Sequence, residues 1–289
     1  MSPMREMKEI AMTMRIAVTV IAALVAADCA SAQERPMRAG VDATFAPHAM
    51  PTLGGSVEGF NIDLGNGIAQ RLGRKLDIDA TQFSGLVPGL QAATYDFLIA
   101  PVTVNKERAE SLLFTEGYIN TDFQFVVKKE TPDLKAMEDL KGKTIAVNKG
   151  STYDLWARDN AGKYGWNVES YGTTPDALQA IASGRAYAVL LGNTAAAWAV
   201  KNNRALKLSY LHSTGLVFAV PVRKDNVALR NQLELAIECM KKDGEIAKIY
   251  EKWFGDKPAP DSAAVKIYPG NGVPGMPGYD STPHELTCR

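Results

Sequence analysis

Beyond residue 37 the chain alternates between short runs of consecutive apolar residues and stretches where apolar positions recur every three or four residues. The first run, over 38–41, predicts a strand that ends at Asp42. Leu64, Ile68, Ala69 and Leu72 then fall at i, i+4, i+5 and i+8. That spacing predicts a helix with Asp63 as its cap and Gly73 as its stop. Residues 76–80 alternate polar and apolar as a strand does. Leu86, Val87 and Leu90 form a second helical stripe, and 97–102 reads as one buried strand. Strand, helix, strand, helix, strand is the pattern of a parallel α/β sheet. It then starts again: a strand over 143–147, a turn over 148–152, a helix capped by Thr174 and closed by Gly184, and a strand over 186–191. Two β-rich stretches, 122–127 and 215–220, flank this second unit, so the chain should enter it once and return once. Helical stripes follow at Leu229, Leu233, Ala236 and Met240 and at Ile246, Ile249, Tyr250 and Trp253, placed to pack back on the first unit. From Lys257 onward the pattern dissolves into a Pro/Gly-rich tail.

Composition narrows the class. The 289 residues carry 32 Lys+Arg against 32 Asp+Glu, and a neutral chain has no global electrostatic reason to seek nucleic acid or an anionic membrane. Arg5, Lys8 and Arg15 precede an uncharged apolar run over 16–27, followed by Ala30, Ser31 and Ala32. This predicts a signal peptide over 1–32 and an exported, periplasmic product. The run is short for a membrane anchor, and Asp28 argues against lipidation at Cys29. Removing the leader leaves Cys239 and Cys288, which can form one disulfide in an oxidising compartment. Cys239 lies in the helix expected over 227–242 and Cys288 near the end of the tail, so the bond would pin the tail to the first unit. His48, His212 and His284 are widely spaced and have no metal-ligand pattern. Neither a metal nor a cofactor is expected.

Five motifs in order give the chain a family likeness. They are Gly59-Phe60-Asn61-Ile62-Asp63-Leu64, Phe83-Ser84-Gly85-Leu86-Val87-Pro88, Tyr95-Asp96 followed by Ala100, Thr103 and Arg108, Asp139-Leu140-Lys141-Gly142-Lys143, and Tyr250-Glu251-Lys252-Trp253-Phe254-Gly255. Together they resemble bacterial solute-binding proteins of family 3, the polar amino acid type, over residues 38–255. The resemblance implies a two-lobed periplasmic binding protein fold of type II, with two α/β lobes joined by two crossing strands. Lobe 1 would comprise 33–124 and 216–255 and lobe 2 would comprise 125–215, with 256–289 as the tail. It also implies a monomer that closes by a hinge around a small ligand and delivers it to an ABC transporter permease.

Arg108 is the leading candidate for ligand contact, because a guanidinium presents paired donors that match a carboxylate. By resemblance the ligand's carboxylate lies on Arg108 and Thr103. The plainer alternative is a surface Arg paired with Glu107 or Glu110. Asn148, Ser151 and Thr152 stand at a strand-to-helix turn, where helix amides face outward and suit an anion. The same residues also serve as a simple cap. Phe45 and Phe83 match positions of aromatic walls, with core packing as the alternative. Asp42 ends a strand, where α/β sheets place ligand contacts. Pro101 offers a carbonyl but no N–H.

One departure from the family stands out. Members that bind amino acids carry an Asp after the strand over 186–191, paired with the ligand's α-ammonium. Here that position is Gly192, followed by Asn193. A buried ammonium deprived of its carboxylate loses roughly 3–5 kcal/mol. The expected ligand is therefore a small carboxylate that is not a standard α-amino acid, an organic acid or a modified amino acid. The competing readings are an enzyme of the cyclohexadienyl dehydratase type on the same fold and a sensor or accessory binding subunit. The enzyme needs a general acid in the cleft. The nearest candidates in sequence, Glu116 and His48, read as a turn residue and a loop-surface residue.

Overall fold

The computed structural model describes residues 35–288, so the signal peptide expected over 1–32 lies outside the described residues. Strand β1 (Met37–Val41) is buried at all but one position, which suits its place inside a sheet with both faces covered. It pairs in parallel with β4 (Leu76–Ala80) on one side and β5 (Phe97–Leu98) on the other. The first sheet continues through β13 (Pro221–Arg223) to β7 (Leu112–Phe114), in the order β4-β1-β5-β13-β7. The short strands β2 (Met50–Pro51) and β3 (Val57–Glu58) pair as a separate hairpin, and helices α1 (Phe60–Arg71) and α2 (Phe83–Gln91) supply the crossovers that parallel pairing requires.

The second sheet has the order β10-β9-β11-β8-β12-β6. Its parallel part is β10 (Asn167–Tyr171), β9 (Thr144–Asn148) and β11 (Ala188–Gly192). Helices α4 (Thr152–Tyr164), α5 (Thr174–Ala182) and α6 (Asn193–Asn202) connect and cover it. The long antiparallel strands β8 (Ile119–Lys128) and β12 (Leu206–Ala219) pass between the two cores. Ile119 and Phe218, paired at one end, pack in the first lobe's core. Phe123 and Phe125 pack in the second lobe's core. Gly215, at φ 67, sits in the register irregularity that bends β12 near this crossing.

Three local expectations need correction. The continuous strand over 97–102 is two strands in different sheets: β5 ends at Leu98, and β6 (Val102–Thr103) pairs with β12. Pro101 has no N–H for a ladder, and the Val102 amide turns back to the Ala100 carbonyl at 2.8 Å, so the chain leaves one sheet for the other. Helix α1 starts at Phe60 rather than being capped by Asp63. Gly59, at φ 144, lies so close to the His48 carbonyl that any Cβ would stand 2.3 Å from it. Asp63 instead accepts from Trp253 Nε1 at 2.7 Å. The cap of α5 is Thr173, which accepts from the Asp176 amide at 3.2 Å, and Thr174 becomes the first helical residue.

Helix α7 (Val227–Lys242) is buried on two faces. Leu229, Leu233, Ala236 and Met240 enter the first core. Arg230, Glu234, Glu238 and Lys241, at i, i+4, i+8 and i+11, are also buried and hold the tail. Helix α8 (Glu245–Phe254) ends at Gly255 in the left-handed conformation. Beyond it the chain is irregular yet docked: Ala263, Ala264 and Asn271 are buried, and Cys288 is joined to Cys239 with Cα atoms 5.5 Å apart. Glu116 is no exposed turn residue. It is fully buried, pairs with Lys241 Nζ and accepts from the Tyr268 amide of the tail at 2.8 Å. Burial raises its pKa, and the neighbouring Lys241 ammonium opposes that rise. No helix among the described residues is long and apolar enough to cross a membrane.

Candidate functional site

A recess between the two lobes holds about 330 Å³ of atom-free space, its mouth included. The C-terminal end of β1 delivers Asp42 to it, as parallel sheets commonly do at their carboxyl edge. Asp42 is buried and committed. Its Oδ1 accepts from the Thr44 amide at 2.9 Å and the Thr44 hydroxyl at 2.7 Å. Its Oδ2 accepts from Asn148 Nδ2 at 3.4 Å, across the gap from the end of β9. Asn148 Nδ2 also reaches Thr174 Oγ1 at 3.2 Å.

Arg108 sits on the short helix α3 (Lys106–Ser111), which Asn105 caps by accepting the Arg108 amide at 2.9 Å. The residue is only 8% exposed, and the neighbouring Glu107 favours its charged form without forming an ion pair with it. Nη1 donates to the Thr103 carbonyl and Nη2 to the Gly150 carbonyl, both at 3.1 Å. The second of these bonds crosses from one lobe to the other. No carboxylate of the described residues forms an ion pair with it. Burial lowers its pKa to about 10, so the group stays charged at neutral pH. The Phe83 ring, at the start of α2, lies under the guanidinium at 5.5 Å from its centroid.

The opposite wall is the start of α4. Ser151 caps it, accepting from the Asp154 amide at 3.1 Å. Thr152 and Tyr153 hold the first helical positions, whose amides a helix leaves without internal partners. Gly150, at φ 75, lies so near Ser84 at the head of α2 that a Cβ there would stand 3.3 Å from the Ser84 Cα. Phe45, carried by the loop after β1, packs into the core of the second lobe, so a first-lobe residue closes the recess from across the gap.

Asp42, Phe45, Phe83, Pro101, Thr103, Arg108, Asn148, Ser151 and Thr152 therefore converge on one recess. Gly192 and Asn193 do not line it. Gly192 caps α6 behind Tyr153, and Asn193 Oδ1 accepts from the Asp122 amide at 3.2 Å. Tyr153 lines the recess and is missing from the sequence-level set. Its signal was available: Gly192 has no side chain and leaves space for a large neighbour. Four buried atoms at or beside this place make no well-formed hydrogen bond: Asn148 Oδ1, Thr152 Oγ1, Tyr153 Oη and Thr121 Oγ1. Native interiors leave few such atoms, so their concentration here makes the recess the candidate ligand site.

His48 needs correction too. It is fully buried, not on a loop surface. Nδ1 bonds Asn61 Oδ1 at 2.9 Å, and Nε2 bonds Thr194 Oγ1 of α6 at 2.8 Å, which ties the lobes together outside the recess. Burial lowers its pKa to about 4.

Residues 37–256 match the model of the bacterial extracellular solute-binding proteins, family 3. The chain belongs to that family. Among similar proteins, the L-cystine-binding protein TcyJ of Escherichia coli strain K12 is 31% identical over 222 residues, which cover 75% of this chain and 81% of the relative. The L-arginine-binding protein of Pseudomonas aeruginosa is 27% identical over 77% of this chain and 89% of its own length. An ancestral arginine-binding protein solved with arginine superposes with a TM-score of 0.74 at 36% identity, covering 77% of this chain and all of that one. An ancestral amino acid-binding protein that is a precursor of cyclohexadienyl dehydratase superposes with a TM-score of 0.71 at 29% identity, covering 76% and 95%. The family 3 fold thus places this recess at the junction of its two lobes.

Proposed function

We propose that this family 3 protein is a periplasmic, monomeric receptor that closes around a small carboxylate ligand and hands it to an ABC transporter permease. One observation carries the reading. Arg108 is a buried cation whose side-chain hydrogen bonds, among the described residues, go to two neutral carbonyls. A buried charge without a counter-ion is costly, and a ligand carboxylate would supply that counter-ion. The amides at the start of α4 favour the same anion from the second lobe. Because Arg108 already reaches Gly150 across the gap, an anion shared by both walls would favour the closed form over the open one.

The ligand we favour is an organic acid or a modified amino acid. The Asp that would meet an α-ammonium is absent at Gly192, and Asp42 has three hydrogen bonds of its own. The names of the relatives support a second reading, in which the ligand is an ordinary amino acid such as cystine or arginine. Catalysis of the dehydratase type is less well supported. Asp42 is the one carboxyl lining the recess, and neither His48 nor Glu116 lies there. A thermal-shift screen of the standard amino acids against carboxylic acids and amino acid derivatives, followed by calorimetry, separates the two ligand classes. Arg108→Ala should abolish binding of whichever compound is found, while leaving the fold intact by circular dichroism. Unchanged affinity would remove Arg108 from the site, and turnover of the ligand on prolonged incubation would favour the enzyme.

A further inference from the structure

Tyr153 and Gly192 form a matched pair at the inner end of the recess. Tyr153 is 4% exposed, and its ring packs edge-on against Phe123 with centroids 5.1 Å apart. That packing fixes the ring and sends the hydroxyl toward Gly192. A Cβ at Gly192 would stand 2.5 Å from Tyr153 Oη and 3.3 Å from Thr121 Oγ1. No side chain fits there while the phenol keeps its place, because real Cβ atoms do not approach that closely. The phenol has therefore taken the space into which a side chain at 192 would project. Two hydroxyls meet at this point, Tyr153 Oη and Thr121 Oγ1. Both are more than nine-tenths buried and neither makes a well-formed hydrogen bond, while the Thr121 and Thr103 hydroxyls and the Gly192 backbone lie near the phenol oxygen.

We propose that Tyr153, seconded by Thr121, is the specificity-determining group of the recess, offering a neutral hydroxyl to an uncharged oxygen on the ligand's α-carbon where the family's Asp would hold an ammonium. The class so selected is the 2-oxo or 2-hydroxy carboxylate. This rests on the carboxylate reading above and deepens it. A phenol donates to a carbonyl or hydroxyl oxygen at the cost of no charge. Burial raises the pKa of Tyr153, so it keeps its proton at neutral pH and remains a donor. An ammonium at the same place would face only neutral acceptors and would lose the charge-assisted partner that offsets its burial.

The test is calorimetry on the full chain with matched sets that differ only at the α-carbon. Suitable sets are alanine, lactate and pyruvate; leucine, 2-hydroxyisocaproate and 2-oxoisocaproate; and glutamate, 2-hydroxyglutarate and 2-oxoglutarate. In at least one set the oxo or hydroxy member should bind about tenfold or more tighter than the amino member, and Tyr153→Phe should erase most of that preference. Gly192→Asp alone should bind poorly, because the new side chain collides with the phenol. Combined with Tyr153→Ala it should shift the preference toward the amino member. An amino member that binds the unaltered protein as tightly as its partners, with binding lost in Arg108→Ala, overturns the role of Tyr153 and leaves the carboxylate reading standing. A preference that survives Tyr153→Phe unchanged also overturns it. If no member of any set binds, the carboxylate reading falls and this proposal falls with it.

Discussion

Two buried polar regions sit on this chain, and they are built oppositely. In the recess, Asn148 Oδ1, Thr152 Oγ1, Tyr153 Oη and, beside it, Thr121 Oγ1 make no well-formed hydrogen bond, and Arg108 forms no ion pair with a carboxylate of the described residues. Under the tail, the polar face of α7 is closed. Lys241 Nζ donates to Glu116, to the Gly117 carbonyl at 2.7 Å and to the Lys266 carbonyl at 2.9 Å. Glu234 accepts from the Glu116 amide at 3.0 Å and the Gly272 amide at 2.7 Å. Glu238 meets His284 at 2.7 Å, and Arg230 donates to the Gly278 carbonyl at 3.3 Å. The three carboxylates Glu116, Glu234 and Glu238 lie together, but the lysine ammonium pairs with Glu116 and is the cation of that cluster. Buried polar groups that have found all their partners hold a structure together. Those left without partners are what the proposed ligand would satisfy.

If the comparison is sound, the largest effect comes from breaking the closed region. Lys241→Met should destabilise the chain by about 3–5 kcal/mol, because it strands buried Glu116. The double change with Glu116→Gln should recover part of that loss. Urea unfolding measures both, and ligand affinity of the folded fraction should hardly move. A loss under 1 kcal/mol would mean the pair behaves as a surface ion pair and the contrast between the regions is wrong.

Next in size is the disulfide. Cys239 and Cys288 are 49 residues apart, and freeing that loop costs about 4 kcal/mol in the chain-entropy account. Replacing both by Ser should lower stability by an amount of that order and make the tail sensitive to limited proteolysis. A tail that resists protease without the bond would show that the polar ladder of α7 alone holds it.

The smallest effect is pH dependence, and here the regions should differ in sign. His48, beside the recess, has its pKa lowered from 6.5 to about 4 in the folded state. The unfolded chain therefore binds the extra proton first, and stability is lost as pH falls from 6.5 toward 4, by up to about 3 kcal/mol. His48→Gln should flatten that acid limb. Glu234, under the tail, has its pKa raised by burial from 4.5 to about 8. Its contribution is fully present below 4.5 and is lost as pH rises through 8. Glu234→Gln should flatten that alkaline limb. Stability measured by urea titration at pH 4.5, 6 and 8.5 in the two variants checks both signs, and matching slopes in both variants would erase the distinction.

Much of the fold was legible. The helix over 227–242 and the two α/β units follow from apolar periodicity, since each needs only neighbours within a few residues. Arg108 and the 151–152 turn were picked out through motif spacing, and the structure brings them to one recess. Glu116 and His48 were misread because a polar residue in a non-periodic stretch looks solvated unless its partner is known. Their partners, Lys241 and Thr194, are 125 and 146 residues away. Pro101 was noted as lacking a donor, but its consequence, the division of 97–102 between two sheets, depends on where β12 passes.

The amino-acid sequence by itself determined the class of most elements, the order of the two units and the cation proposed for the ligand. These depend on local periodicity and on side-chain chemistry that no neighbour alters. The tertiary structure decided which polar groups are spent and which stay open. Tyr153 shows why. Its hydroxyl is a candidate ligand contact only because Gly192, 39 positions along the chain at the end of β11, leaves the volume into which it projects. Partner and volume are properties of packing across sequence-distant elements, and a chain read in one dimension does not contain them.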